Sequence, residues 1–132
     1  MKNISDIVVL FVDDEVETIS ALKRFLRREP YRKIYAESGA EALELLEKEC
    51  IDIIVSDVRM PNMSGKELIR RVKTSFPETI CLLTSGDNET DQIVKCVGND
   101  NIFGFIPKPI DAETFKKTVN SAIDFYRLNN ER

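Results

Sequence analysis

Short apolar runs alternate with amphipathic stretches along the chain, and this alternation restricts the possible folds more than any other feature. Five runs have the length and composition of buried strands, and apolar residues at helical spacing follow them. The predicted strands cover residues 7–12, 33–36, 51–56, 80–83 and 102–106. A strand–helix unit that repeats five times predicts an α/β domain with a parallel sheet and helices on both faces.

Polar residues mark the starts of the predicted helices. Ser38 and Ser64 each precede a glutamate by three residues, which is the pattern of a capping box. Asp111 is placed to cap the last helix, and a further helix is predicted over about residues 89–97.

Length and composition predict one domain that covers residues 1–132 and resides in the cytoplasm. The sequence has neither a long apolar run nor a signal-peptide core, so we expect no membrane contact. Three cysteines and no histidine argue against a disulfide framework, a zinc site and a Ser-His-Asp triad. The net charge of −4 argues against nucleic-acid binding by this domain.

Polar side chains follow four of the five predicted strands. The carboxyl ends of parallel strands lie at one edge of the sheet, where open α/β sheets bind ligands. We therefore expect one site that combines carboxylates, a hydroxyl and an ammonium group. Its residues are Asp13 and Asp14 after the first strand, Asp57 after the third, Thr84 and Ser85 after the fourth, and Lys108 after the fifth.

Three carboxylates in one place repel each other and call for a cation. Two unit charges about 4 Å apart cost roughly 4 kcal/mol at an effective dielectric constant near 20. Mg²⁺ suits such oxygen ligands, and together with a lysine and a hydroxyl it can hold a phosphoryl group during transfer. Without a histidine, the phosphoryl acceptor must be a carboxylate or water.

The chain resembles the receiver domain of bacterial two-component response regulators over nearly its whole length. This resemblance implies a flavodoxin-like, doubly wound (βα)5 fold with a sheet in the order 2-1-3-4-5. The matching motifs are Val12-Asp-Asp-Glu15, Asp57-Val-Arg-Met-Pro-Asn-Met-Ser-Gly65, Thr84-Ser-Gly86 and Lys108-Pro109.

The resemblance also implies a role for each site residue. Asp57 is the expected phosphoacceptor, and Lys108 is expected to contact the phosphoryl oxygens. The hydroxyl that responds to phosphorylation is Ser85, with Thr84 as the alternative. The expected Mg²⁺ ligands are Asp13, Asp14, Asp57 and the backbone carbonyl of Arg59.

Further expectations concern signal output. Phe105 matches the switch aromatic, and the surface that changes is formed by the fourth helix, the fifth strand and the fifth helix. That surface controls an effector or partner and is also a candidate homodimer interface. A sensor histidine kinase or phosphotransfer protein is the expected donor. The domain is expected to catalyse its own phosphorylation and dephosphorylation without turning over an external substrate.

Two finer expectations and two alternative functions remain. The resemblance implies a cis peptide bond at Lys108–Pro109, and an Arg59–Asp87 ion pair is a hypothesis for slowing hydrolysis. One alternative function is a Mg²⁺-dependent phosphohydrolase with an aspartate nucleophile, although the sequence lacks the Asp-x-Asp motif of such enzymes. The other is an interaction module that no longer accepts phosphate, although no required acid or lysine is missing. The chain is either a stand-alone receiver or a fragment of a longer regulator.

Overall fold

A computed structural model describes residues 2–86 and 102–129 of the chain. The strands are β1 (Val8–Val12), β2 (Arg32–Ala36), β3 (Ile53–Asp57), β4 (Ile80–Ser85) and β5 (Gly104–Pro107). The helices are α1 (Val16–Phe25), α2 (Gly39–Lys48), α3 (Gly65–Ser75) and the last helix (Ala112–Asn129), and a short 3₁₀ turn covers Ile4–Asp6. All strand pairs are parallel and the sheet order is β2-β1-β3-β4-β5, so the predicted flavodoxin-like fold is confirmed.

The sheet separates two hydrophobic clusters because successive side chains of a strand point to opposite faces. One face packs against α2 and α3, and the other packs against α1 and the last helix. Strands β1, β3 and β4 are buried along their full length, which accounts for their nearly continuous apolar sequences.

The three predicted helix caps are confirmed. The side-chain oxygens of Ser38, Ser64 and Asp111 accept hydrogen bonds from the backbone N–H groups three residues further on. The glutamates of the two capping boxes act differently from the pattern. Glu41 accepts from the N–H of Glu37, one residue before the cap, and Glu67 forms ion pairs with two arginines of α3.

Strand β5 begins two residues later than predicted. Phe103 therefore lies before the strand, is 40% exposed and packs against Phe125 of the last helix, with 5.2 Å between ring centroids. Phe105 is half-buried and contacts the cluster beneath α2 and α3.

Two other expectations meet different outcomes. The Lys108–Pro109 peptide bond is cis, as the resemblance implied. The predicted helix at about residues 89–97 lies outside the described residues. Among the residues that are described, no helix combines the length and apolar character needed to cross a membrane.

Candidate functional site

The predicted acidic residues meet at the carboxyl edge of the sheet. Asp57 is the last residue of β3, and Asp13 and Asp14 directly follow β1, the neighbouring strand. One carboxylate oxygen from each of the three lies within 4.8 Å of the others. Asp13 and Asp57 are buried, and Asp14 is partly exposed.

Lys108 reaches this cluster from the end of β5. Its Nζ lies 2.9 Å from Asp57 Oδ1 and 3.9 Å from Asp13 Oδ2. Burial alone would lower the pKa of Lys108, but the hydrogen bond to Asp57 and the negative charges of Asp57 and Asp13 raise it above its usual value. The lysine is therefore held as a cation in direct contact with Asp57.

The crowding of negative charge in the cluster shows in the pKa of Asp13. Burial raises its pKa to about 6, and the neighbouring Asp57 charge also raises it. The N–H of Glu15, which donates to Asp13 Oδ1 at 2.9 Å, and the charge of Lys108 oppose the shift without cancelling it. One ammonium group is thus too little positive charge for these carboxylates.

The hydroxyl that contacts Asp57 belongs to Thr84, the alternative to Ser85 in the sequence expectation. Thr84 lies opposite Asp57 in the register of β3 and β4, and its Oγ1 donates to Asp57 Oδ1 at 3.4 Å. Ser85 is also buried, and its carbonyl oxygen accepts from Lys108 N–H. Adjacent strand residues point to opposite faces, so only one of these two side chains can face Asp57.

Gly65 is a contributor that the sequence reading did not single out. Its N–H donates to the carbonyl oxygen of Val58 at 2.8 Å, and a Cβ at this position would collide with the carbonyl oxygen of Asp57. The start of α3 can pack against the end of β3 only because residue 65 has no side chain. A glycine after the Ser64 cap was the available sequence signal.

The surroundings of the site leave one side open. A cavity of about 480 Å³ adjoins Lys108 between α1 and the segment after β5, and Leu22, Phe25 and Ile110 form part of its apolar lining.

The hypothesis of an Arg59–Asp87 ion pair stays untested. Arg59 is exposed, and its hypothetical partner Asp87 lies outside the described residues.

The donor set fits a hard divalent cation. Carboxylate oxygens are the ligands that Mg²⁺ takes from proteins, usually only one or two of them together with water. Asp13, Asp14 and Asp57 each offer such an oxygen within 4.8 Å of the other two, and Lys108 lies beside them.

A doubly wound parallel sheet with an acidic cluster and a lysine at its carboxyl edge puts the chain among α/β domains whose site lies at the carboxyl ends of the strands. The family model for the response regulator receiver domain matches residues 9–120, and the chain belongs to this family. It is therefore a receiver domain of two-component signalling.

Individual relatives agree with this assignment. The hydrogenase transcriptional regulatory protein HoxA of Bradyrhizobium diazoefficiens is 34% identical over 93% of this chain and 25% of its own length. A cyclic di-GMP phosphodiesterase of Thermotoga maritima is 32% identical over 87% of this chain and 30% of its own length. The chain thus spans about a quarter of the length of the curated relatives it matches.

A solved structure agrees as well. The response regulator receiver domain protein of Clostridium thermocellum superposes with a TM-score of 0.83 and 25% identity, covering 92% of this chain and 98% of that one.

Proposed function

We propose that residues 1–132 form a single phosphoacceptor domain that takes a phosphoryl group on Asp57. The donor is the phosphohistidine of a sensor histidine kinase or of a phosphotransfer protein. The observation that carries this proposal is the contact of the Asp57 carboxylate with Lys108, 2.9 Å away, inside a cluster of three carboxylates. The open apolar cavity beside Lys108 supports the approach of a donor protein from that side.

The transfer is a displacement at phosphorus. An oxygen of Asp57 forms the new P–O bond while the P–N bond of the donor breaks, and the donor histidine keeps the electron pair. Lys108 binds the phosphoryl oxygens and stabilises their charge. Asp13, Asp14, Asp57 and the Arg59 carbonyl would hold Mg²⁺, which supplies further neutralisation of this charge when bound. Water later hydrolyses the acyl phosphate, and no external substrate is turned over.

The hydroxyl of Thr84 is the group that responds to the phosphoryl group. It already donates a hydrogen bond to Asp57 Oδ1, so a short movement would let it donate to a phosphoryl oxygen. Thr84 pairs with Ile106 in the β4–β5 register, and the preceding residue pairs with Phe105. Because Phe105 pairs with the residue before Thr84, its ring points to the opposite face of the sheet from the Thr84 side chain. A shift at Thr84 would therefore reach Phe105 through the backbone of β5, and the switch role of Phe105 rests on the family resemblance.

The output surface is formed by the segment after β4, by β5 and by the last helix. Three of its side chains are apolar and exposed: Phe103, Phe125 and Leu128, which is 64% exposed. An exposed apolar group of this kind favours a partner or homodimer contact. The net charge of −4 supports a domain that does not itself bind nucleic acid.

Intact-mass measurement after incubation with Mg²⁺ and acetyl phosphate tests the proposal. We expect wild-type protein to gain one base-labile phosphoryl group and Asp57→Asn to gain none. Asp52→Asn is the matched control, because Asp52 is also buried but lies at the other end of β3. Absence of the gain in wild type, or its retention in Asp57→Asn, would refute the assignment of Asp57.

A second measurement separates the two hydroxyls. Thr84→Ala and Ser85→Ala should both still accept the phosphoryl group, but only Thr84→Ala should lose the phosphorylation-dependent change in hydrogen exchange of β5. Loss of that change in Ser85→Ala alone would return the role to Ser85.

A further inference from the structure

Strand β2 is an edge strand whose outward backbone groups are free to pair. Arg32 N–H donates to Ile7, and the carbonyl of Ala36 accepts from Asp13 N–H, so residues 32, 34 and 36 turn their backbone groups toward β1. The N–H and C=O groups of Lys33 and Tyr35 therefore point away from the sheet. Among the described residues they have no backbone partner.

The charges around this edge are separated along the strand direction. Six of the 19 lysines and arginines fall within residues 23–33, which contain one acid, Glu29. Parallel topology puts the end of α1 and the start of β2 at the amino edge of the sheet, and it puts the starts of α1 and α2 at the carboxyl edge. The amino end of this edge is therefore net cationic, with Lys23, Arg24, Arg27, Arg28, Arg32 and Lys48 against Glu29, Glu47 and Glu49, whereas the carboxyl end is anionic, with Glu15, Glu17, Glu37 and Glu41.

Several of these cations have no strong partner among the described residues. The side chains of Arg24, Arg27 and Arg28 are exposed and have neither an ion pair nor a hydrogen bond among the described residues. Arg32 has only a long contact of 3.5 Å to Glu49, and both side chains are largely exposed. These groups remain available to a neighbouring molecule.

We propose that β2 pairs antiparallel with β2 of a second copy of this chain, giving a two-fold dimer with a continuous ten-stranded sheet. Only one register pairs every outward N–H and C=O group of residues 33 and 35, and we take that register. Lys33 lies opposite Tyr35 of the second copy and Ile34 lies on the two-fold axis. Four backbone hydrogen bonds form, which is the geometry of strand addition at a sheet edge.

Complementary charges at the two ends of β2 favour a second copy of this chain as the partner. An antiparallel arrangement brings the cationic end of one copy against the anionic end of the other, so that Arg32 lies opposite Ala36 of the second copy, one residue along the strand from Glu37. A two-fold contact is self-complementary and closes, so it yields a dimer and not a filament. If the protein is a monomer, the same charges instead protect the edge strand from pairing with another chain. The two experiments that follow distinguish the monomer from the dimer. The inference does not depend on phosphorylation.

Cysteine cross-linking tests the register. In a Cys50→Ser/Cys96→Ser background, which leaves only the buried Cys81, we expect Ile34→Cys to form a disulfide-linked dimer under mild oxidation. Facing residues of a non-hydrogen-bonded pair have Cα atoms about 4.5 Å apart, within the range of a disulfide. Arg32→Cys is the control, because the two copies of residue 32 would be about 13 Å apart. Monomers from both variants, or equal cross-linking of both, would overturn the proposal.

A proline substitution tests the backbone pairing. Lys33→Pro removes an outward N–H and leaves the ladder to β1 intact, and prolines are accepted at such edge positions. Two of the four hydrogen bonds are lost, so sedimentation should show self-association weakened about tenfold or more. Lys33→Ala keeps the N–H and should associate like wild type, and thermal unfolding checks that both variants are folded. Equal association of the proline and alanine variants would contradict the model.

Discussion

Two buried aspartates at opposite ends of β3 show how similar pairs can serve different purposes. Asp52, just before the strand, accepts from Val8 N–H at 2.8 Å and from Lys2 Nζ at 3.2 Å. Asp57, at the end of the strand, contacts Lys108 Nζ at 2.9 Å. Each is an Asp–Lys pair with a nearly inaccessible carboxylate.

The difference lies in the neighbours of each pair. The carboxylate of Asp52 has a backbone donor, a lysine and the Tyr126 hydroxyl, and burial together with Asp52 raises the pKa of that hydroxyl. Asp57 shares its lysine with Asp13 and lies near Asp14, so negative charge is in excess. The Asp52 pair has enough donors for its carboxylate and stabilises the fold. The Asp57 pair leaves an excess of negative charge, which attracts a cationic ligand at some cost in stability.

The largest expected effect follows from removing each carboxylate. Asp52→Ala leaves the buried Val8 N–H without an acceptor and should lower the free energy of unfolding by about 2–3 kcal/mol. Asp57→Ala relieves repulsion with Asp13 and should cost less than about 1 kcal/mol in the absence of divalent cations. Urea unfolding of both variants measures the difference, and equal losses would remove the distinction between the two ends.

Asp13→Asn should act in the opposite direction, and its effect should depend on pH. The pKa of Asp13 is about 6 in the folded protein against 3.8 for an unperturbed aspartate, so the folded state binds more protons between these values. The free energy of unfolding of metal-free wild type should therefore fall as pH rises from about 4 to 6 and stay low above 6.

The asparagine variant lacks this ionisation and should be about 1–2 kcal/mol more stable than wild type at pH 7. Its thermal stability should also change less between pH 4 and 6. A stability difference that does not depend on pH would show that ionisation of Asp13 is not the cause. Mg²⁺ should stabilise wild type much more than the variant, because only wild type keeps this ligand.

The smallest expected effect is that of the lysine at the amino edge. Lys2 is more than one-third exposed, so water can replace much of its interaction with Asp52. Lys2→Met should lower the free energy of unfolding by about 0.5 kcal/mol, because Asp52 keeps the Val8 and Tyr126 donors. Its contact through the main chain, in which Arg127 Nε donates to the Lys2 carbonyl at 3.0 Å, survives the substitution. A loss as large as that of Asp52→Ala would show that the lysine carries the cluster.

The sequence predicted the carboxyl edge of the sheet well and its amino edge poorly. Asp13, Asp57 and Lys108 directly follow apolar runs, so parallel topology alone brings them together. Asp52 looked like a mere interruption of an apolar run, because its partners are 44 and 50 residues away in the chain. Contacts over such separations leave no periodic signal.

The choice between Thr84 and Ser85 required coordinates for a related reason. Both residues end the same strand, and a shift of one position reverses which side chain faces a neighbour. The β3–β4 register, which pairs Asp57 with Thr84, is not encoded in any local pattern. The late start of β5 was equally hidden, because Phe103 is apolar and extends the run although its ring packs on the outside against Phe125.

The raised pKa of Asp13 has a consequence for how the site would load a cation. Near pH 6 this carboxyl group is about half protonated, and only its ionised form can act as a ligand. A proton and a divalent cation are therefore competitors for one oxygen. Below that pH each cation taken up should release close to one proton into solution. The fraction of domains that hold the cation would then depend jointly on pH and on the cation concentration.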